Sequence, residues 1–469
     1  MIPAMTHRSP QAAGIAALLS LALVAGCGSA PSPSAAPSGG SPQPSATSAP
    51  SAVASGDGSA SASASPSASG SAAVSCSDAK ATASFSPQPI GADNPNAALL
   101  DTIEGSVQAI RGLTATRPVP RNTLDQAGLC AFLRQAMDRE NPPELVAATE
   151  RLYQQLGLLE PGVSLQKLYL DLMGSQVVGF YDPTTKQMYV ISSTGGIGAM
   201  EQITYAHEFD HALQDQAFGL KAITGDAKDQ SDRTLARTAL VEGDATLLMS
   251  LWAQKNLSPA ELVQVAGAAD PASQAALNAA PPILRQTLLW PYTAGLSVAL
   301  GAYQTSASFA GVDALWKSPP DTTEQVLHSD KLATREPAVA VAFPADFAKR
   351  LGPGWKVALQ DTLGEVELNI LMQTGDPNAG TDPAAGWGGD RVALVDGPRG
   401  AIGAVVDTTW DTEAAAGNAF AELHKLESKL KAAGKRAAVL QPSATRVVLV
   451  SAESDATLGA IANVLGLAG

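Results

Sequence analysis

The sequence predicts an α+β protein: a mainly helical domain with one β-hairpin ahead of a central helix, followed by a smaller mixed domain. Three observations predict it. Apolar residues recur at three- and four-residue spacing through most of the chain from Asn94 to about Thr305. The pattern switches to β-rich runs around "DPTTKQ". Beyond about Pro344 strand-like and helical stretches alternate, the texture of a small α+β unit. A chain of 469 residues with 45% hydrophobic content is enough for about two folded domains plus unfolded material.

Taken in order, residues 1–26 join a weakly basic start (His7, Arg8) to the apolar run "AAGIAALLSLALVAG", too short and too early for an ordinary spanning helix. It reads as a secretory signal. The run ends in "LVAGC", which resembles the bacterial lipobox, with small residues at Ala25 and Gly26 before Cys27. That resemblance implies acylation of Cys27 and a lipid-anchored, extracytoplasmic protein on a bacterial cell membrane. A plain secretory signal with a leftover cysteine is the alternative. From Gly28 to Ser75 the chain is almost entirely Ser, Ala, Pro and Gly, which cannot bury enough apolar surface to offset ordering entropy. Residues 27–93 are therefore expected to be a disordered tether, its 48-residue low-complexity part reaching on the order of 35–40 Å. Cys76 and Cys130, an even pair in an oxidising compartment, are expected to form one disulfide.

The first folded domain is assigned to 94–343. Helices are expected in "NAALLDTIEGSVQAIRGL", "DQAGLCAFLRQAMDRE" and "PPELVAATERLYQQLGLL", each broken from the next by Pro or Gly. A hairpin follows from Gln176 to Ser192, then a Gly-containing turn and the helix "ITYAHEFDHALQDQAF". "LKAITGDAKDQSD" reads as a polar loop, and a long helix runs from about Asp232 to Lys255. Further helices are read in "SPAELVQVAGA" and "PPILRQTLLWPYTAGLSVALGAYQTS", and "KSPPDTTEQVLHSDKL" as a Pro-bounded loop. Residues 344–469 form the second domain. In it "GWGGDR" reads as a tight turn with Asp390 and Arg391 as a candidate pair, and His424 as a solvated helix residue.

Net charge is −14, with 30 Lys+Arg against 44 Asp+Glu, which excludes a nucleic-acid partner held by phosphate electrostatics. The chemistry concentrates elsewhere. Two of the five histidines, His207 and His211, lie four apart on one helix face and can turn ring nitrogens to a common point. Catalytic Zn²⁺ takes three protein ligands and keeps one position open, and this spacing supplies two. Glu208 comes close without having to ligate, the place of a general base in metal-assisted hydrolysis. For the third ligand Asp226, Asp229, Asp232, Glu242 and Asp244 are candidates. Glu242 is the best of them, because "TALVEGDATLLM" puts it in an apolar helical run where an unpaired carboxylate is costly unless a cation compensates it. Asp244 is the candidate to accept an N–H from a ligating histidine.

His207-Glu208-Phe209-Asp210-His211, with a glutamate on the next helix, resembles the gluzincin class of zinc metallopeptidases. The longer set "YAHEFDHALQDQAF", "ALVEGDAT", "PPDTTEQVLH" and "GWGGD" is similar to a group of poorly characterised bacterial lipoprotein-like predicted metallopeptidases. These resemblances imply a zincin-like domain with a β-sheet over the active-site helix, and the third zinc ligand on a second helix. They also imply a peptide or protein substrate, and an oxyanion donor from a later segment, for which His328 and Tyr292 are the candidates. Glu242 lies 31 positions after His211, a longer gap than in the best-known members. The expected function is that of an anchored zinc peptidase. A non-catalytic exported binding or assembly lipoprotein retaining the zincin fold is the alternative, and a structural zinc site closed by Asp244 a third.

Overall fold

The computed structural model describes residues 75–78, 84–191, 197–225, 229–267 and 271–467. The signal-like segment, Cys27 and the tether up to residue 74 lie outside the described residues. Among those described, no helix is long and apolar enough to cross a membrane.

The first half runs β1 (Gln88–Pro89), α1 (Ala97–Arg111), β2 (Arg121–Leu124), α2 (Gln126–Glu140), α3 (Pro143–Gln155), α4 (Leu165–Gln176), β3 (Gly179–Asp182) and β4 (Gln187–Ile191). Then come α5 (Ala199–Ala217), α6 (Leu220–Thr224), α7 (Ser231–Asn256), α8 (Pro259–Ala266), α9 (Pro271–Ala279), α10 (Pro282–Ser306), α11 (Ala310–Lys317), α12 (Thr323–Leu327) and α13 (Ser329–Thr334). Pro143, Pro259 and Pro282 stand in the first turns of their helices, where the missing N–H costs nothing. Asp125 and Ser164 cap α2 and α4 through their side chains. The hairpin forms a four-stranded sheet in the order β1-β2-β4-β3, and the short β2 pairs parallel with β4. Two stretches read as loops are partly helical: "LKAIT" closes α6, and "TEQVL" and "SDKLAT" make α12 and α13. Thr322 caps α12 by accepting from the Gln325 N–H, which lets so short a helix form after two prolines.

The second half is α14 (Phe347–Leu351), β5 (Lys356–Asp361), α15 (Gly364–Gly375), β6 (Trp387–Asp396), β7 (Ile402–Trp410), α16 (Glu413–Ala432), β8 (Arg436–Ser443), β9 (Arg446–Ala452) and α17 (Asp455–Val464). Its strands make an antiparallel sheet in the order β5-β6-β7-β9-β8. Alternation sets the two faces. Val392, Leu394, Ala404, Val406, Val447 and Leu449 face α3, α15 and α16, while Ala393, Val395, Val405, Val448 and Val450 face α14 and α17. The first of these cores also takes in Leu152 of α3 and Leu235 of α7, so apolar packing is shared across position 343. Gly386 ends a turn with φ +82°, but Trp387, Gly388 and Gly389 already belong to β6, and Asp390 does not pair with Arg391. Asp390 instead accepts from the Leu363 and Gly364 N–H groups and from Trp387 Nε1, and Arg391 turns to Asp229.

The core of the helical half surrounds α5, with Leu100, Ile103 and Val107 of α1, Leu240 and Leu248 of α7, and Val312 and Trp316 of α11. A helix flanked on every side needs no polar stripe, and α5 is buried continuously from Ile203 to Asp215. Cys76 and Cys130 are joined in a disulfide, in a smaller core where Phe132, Phe180 and Tyr189 stack at 4.4 and 4.7 Å.

Candidate metal centre

α5 follows the N-cap residue Gly198, whose N–H is capped by the Glu201 carboxylate, and contains no Gly or Pro up to Ala217, so its hydrogen-bond ladder is unbroken where the histidines stand. His207 and His211 sit one turn apart with their Nε2 atoms 3.1 Å from each other. Glu242 on α7 brings Oε2 to 3.2 Å from the first and 3.5 Å from the second. Tetrahedral zinc with ligands about 2.0–2.1 Å away holds them roughly 3.3 Å apart, so the three donor atoms already have the edge lengths of one zinc face. The remaining oxygen of Glu242, Oε1, is buried and has no hydrogen-bond partner among the described residues, which suits a carboxylate turned toward a cation. The donor set of two imidazoles and one carboxylate suits zinc.

Electrostatics couple these three groups. Burial opposes charge on His211, but Glu242 above all, then Glu208 and Gln214, outweigh it and push its pKa up to about 10. Burial would raise the Glu242 carboxyl, yet His211 and His207 hold it below its ordinary range. Glu242, at 0% exposure, is thus held as a carboxylate by the positive charge shared with His207 and His211.

Glu208 offers a carboxylate oxygen within 4.8 Å of the ligand atoms of both histidines. Its Oε2 accepts the Tyr181 N–H at 3.0 Å, from the edge strand β3. Tyr181 is itself fixed by its hydroxyl, which donates to Asp215 at 2.7 Å, and Lys186 pairs with the same carboxylate oxygen. The sheet therefore orients the candidate base from outside α5.

Asp244 is the candidate the sequence offers for orienting a histidine, but it is Gln214 that stands beside His211. Gln214 Nε2 donates to Asp210 Oδ2 and to the Val241 carbonyl, which fixes the amide so that Oε1 faces His211 Nδ1 at 2.9 Å. His211 must then donate from Nδ1, so that a cation taking the place of the Nε2 proton would meet the Nε2 lone pair. Asp244 Oδ2 is taken by Arg111 at 2.9 Å and Trp316 Nε1 at 2.8 Å, because the side chain leaves α7 toward α1 and α11 rather than toward α5's histidines. Arg111 also reaches Asp313 at 2.7 Å and lies 3.8 Å from Asp210, with its guanidinium 4.6 Å from the Phe309 ring centroid. Burial raises the Asp210 pKa, with Asp244 adding to it, to about 8 even with Arg111 opposing. One buried cation thus stands among three acids behind the centre.

Arg111 and Gln214 escaped the sequence reading, although both left a signal. Arg111 occupies the apolar stripe Leu100, Ile103, Val107, Arg111 of α1, where a charge has to be paired. Gln214 continues the His207, His211 face by three positions. Of the two oxyanion candidates, Tyr292 on α10 is 2% exposed and stacks on His207, with ring centroids 6.1 Å apart. His328 is not at this centre. It ends α12, and that turn packs on α15, so its ring meets Glu365 at 2.9 Å and Asp382 at 3.7 Å instead.

Comparison with known proteins adds one match. Residues 355–462 are similar to a domain of unknown function, DUF8575. That segment covers the whole five-stranded sheet with α15, α16 and most of α17, and contains none of His207, Glu208, His211 or Glu242. No curated protein and no solved structure matches the chain.

Proposed function

We propose that the chain is an anchored, extracytoplasmic zinc-dependent hydrolase, with peptides or proteins as substrate. The observation that carries this reading is the near-equilateral set of His207 Nε2, His211 Nε2 and Glu242 Oε2, with the Glu208 carboxylate beside it but outside it. Zinc held there would supply Lewis acidity, polarising a carbonyl and acidifying water. The chain's own residues do the rest. Glu208, oriented by the Tyr181 N–H, takes a proton from the attacking water and delivers it to the departing amine as the C–N bond breaks. Gln214 keeps His211 in the tautomer that can ligate, and Arg111 offsets part of the charge of the acids behind it. Tyr292, packed on His207, is the side chain we assign to support the developing oxyanion. The anchor at Cys27 and the tether would hold this body near the membrane surface.

One observation favours the alternative of an exported binding or assembly lipoprotein: His207, Glu208, His211 and Glu242 are all at 1% exposure or less. Turnover from such a site requires an opening movement, whereas metal binding that stabilises the fold does not. The Glu208→Gln variant separates the two readings. On the hydrolase reading it keeps about one zinc at this centre and loses about 10²–10⁴-fold in peptide cleavage, since ligation and proton transfer are distinct tasks. Zinc bound by the wild type with no cleavage across a broad peptide library overturns the hydrolase reading.

A further inference from the structure

His328, Glu365 and Asp382 meet at a second place where donor atoms converge. His328 Nε2 lies 2.9 and 3.0 Å from the two oxygens of Glu365 and 3.7 Å from Asp382 Oδ2. One donor atom of each falls within 4.8 Å of the other two. Each comes from a different segment: His328 from the junction of α12 and α13, Glu365 from the first turn of α15, Asp382 from the connection between α15 and β6.

What separates Glu365 from the other buried acids nearby is how its carboxyl is satisfied. Asp232 accepts from the Thr323 N–H and hydroxyl, Asp361 from the Ser231 N–H and hydroxyl and the Thr362 N–H, and Asp390 from two backbone N–H groups and an indole. Glu365, at 0% exposure, receives no backbone, hydroxyl or amide donor among the described residues. It faces one imidazole nitrogen and a second carboxyl, that of Asp382. A wholly buried carboxyl set against another carboxyl is held there by a proton or by a cation. Lys331 does not fill the role, because its ammonium is taken up by Glu324, Glu336 and Asp411.

Asp382 is also oriented in advance. Asn369 Nδ2 donates to its Oδ1 at 2.9 Å, and Asn369 Oδ1 accepts the Ala384 N–H at 2.7 Å, so Oδ2 is the oxygen turned to His328. His328 and Asp382 are each about one-third exposed, which gives an ion a path to the buried Glu365. We propose that His328, Glu365 and Asp382 form a second divalent-cation site, distinct from the centre on α5, that clasps the α12–α13 turn to the C-terminal half. One imidazole with two carboxylates selects Zn²⁺ or Mn²⁺ over Ca²⁺, which takes six to eight oxygens.

The test is equilibrium titration of the chelator-treated full chain with Zn²⁺ and, separately, Mn²⁺, with Ca²⁺ as control. The wild type takes up two zinc ions, the H207N/H211N variant takes up one, and adding D382N weakens that remaining site at least about tenfold. D382N in the wild-type background weakens one of the two sites by the same factor and changes only a partly exposed side chain, so it decides the matter if the double histidine variant does not fold. Uptake unchanged by D382N overturns the proposal, as does a folded H207N/H211N chain that binds no Zn²⁺ or Mn²⁺. A wild type that takes up one ion, lost in D382N, supports this site and overturns the centre on α5 instead.

Discussion

At the scale of single residues, the α5 centre depends on a hydrogen bond that touches no substrate. Gln214 fixes the His211 tautomer, and its own amide is fixed by Asp210 and the Val241 carbonyl. Gln214→Ala is therefore expected to weaken zinc binding by about 10–100-fold, measured by competition with a metal chelator. Unchanged affinity would show that packing alone orients the ring. Spacing along a helix made His207, Glu208, His211 and their joint face legible, because positions four apart must be neighbours there. Glu242 was legible through the cost of a carboxylate in an apolar run. No local pattern ties Asp244 or His328 to this centre. Their true partners, Arg111 and Glu365, lie 133 and 37 positions away, a distance that no local pattern encodes.

At the scale of elements, the place of Glu242 is set by how closely α7 and α10 approach. A Cβ on Gly243, next to Glu242, would stand 2.1 Å from the Gly295 carbonyl, and one on Gly295 would stand 1.9 Å from the Ala239 carbonyl. The two backbones touch, and this crossing seats Glu242 on one helix and Tyr292 on the other against α5. Gly243→Ala is expected to cost about 3 kcal/mol in denaturant unfolding, the upper end for overpacking. Gly301→Ala, on α10 where a Cβ meets nothing within 4 Å, is expected to gain about 0.4–1 kcal/mol instead. Equal effects from the two would rule out the crossing as the cause. The long helices and the β3–β4 hairpin were readable because period and turn chemistry are local. The two-residue β1 and the four-residue β2 were not, since β2 is made a strand only by pairing with β4, 67 positions further on. For α12 and α13, the prolines and polar residues of the segment masked helices of five and six residues.

At the scale of the whole molecule, the two halves meet across buried acids whose charge the fold disfavours. Burial raises the Asp232 carboxyl to about 7 and the Asp390 carboxyl to about 6, in both cases against the hydrogen bonds they accept. Asp232 begins α7 and lies so close to the start of α15 that a Cβ on Gly364, which has φ +71°, would fall 1.9 Å from its Oδ1. It also receives Thr323 of α12, so three segments converge on one carboxyl. Because its pKa in the folded chain lies above that of an ordinary aspartate, its contribution to stability is fully present below about pH 4. That contribution is lost as pH rises through about 7. Glu242 and other carboxyls held low by cations act in the opposite sense in acid, so the total curve does not isolate this joint. The difference between wild type and Asp232→Asn does. An asparagine oxygen can still accept both Thr323 donors but does not ionise, so the variant should gain on the wild type steadily from pH 4.5 to 7.5. Urea midpoints with chelator present, so that bound ions do not contribute, provide the measurement. Parallel curves across that window would mean that Asp232 is not charged at neutral pH, or is charged without cost.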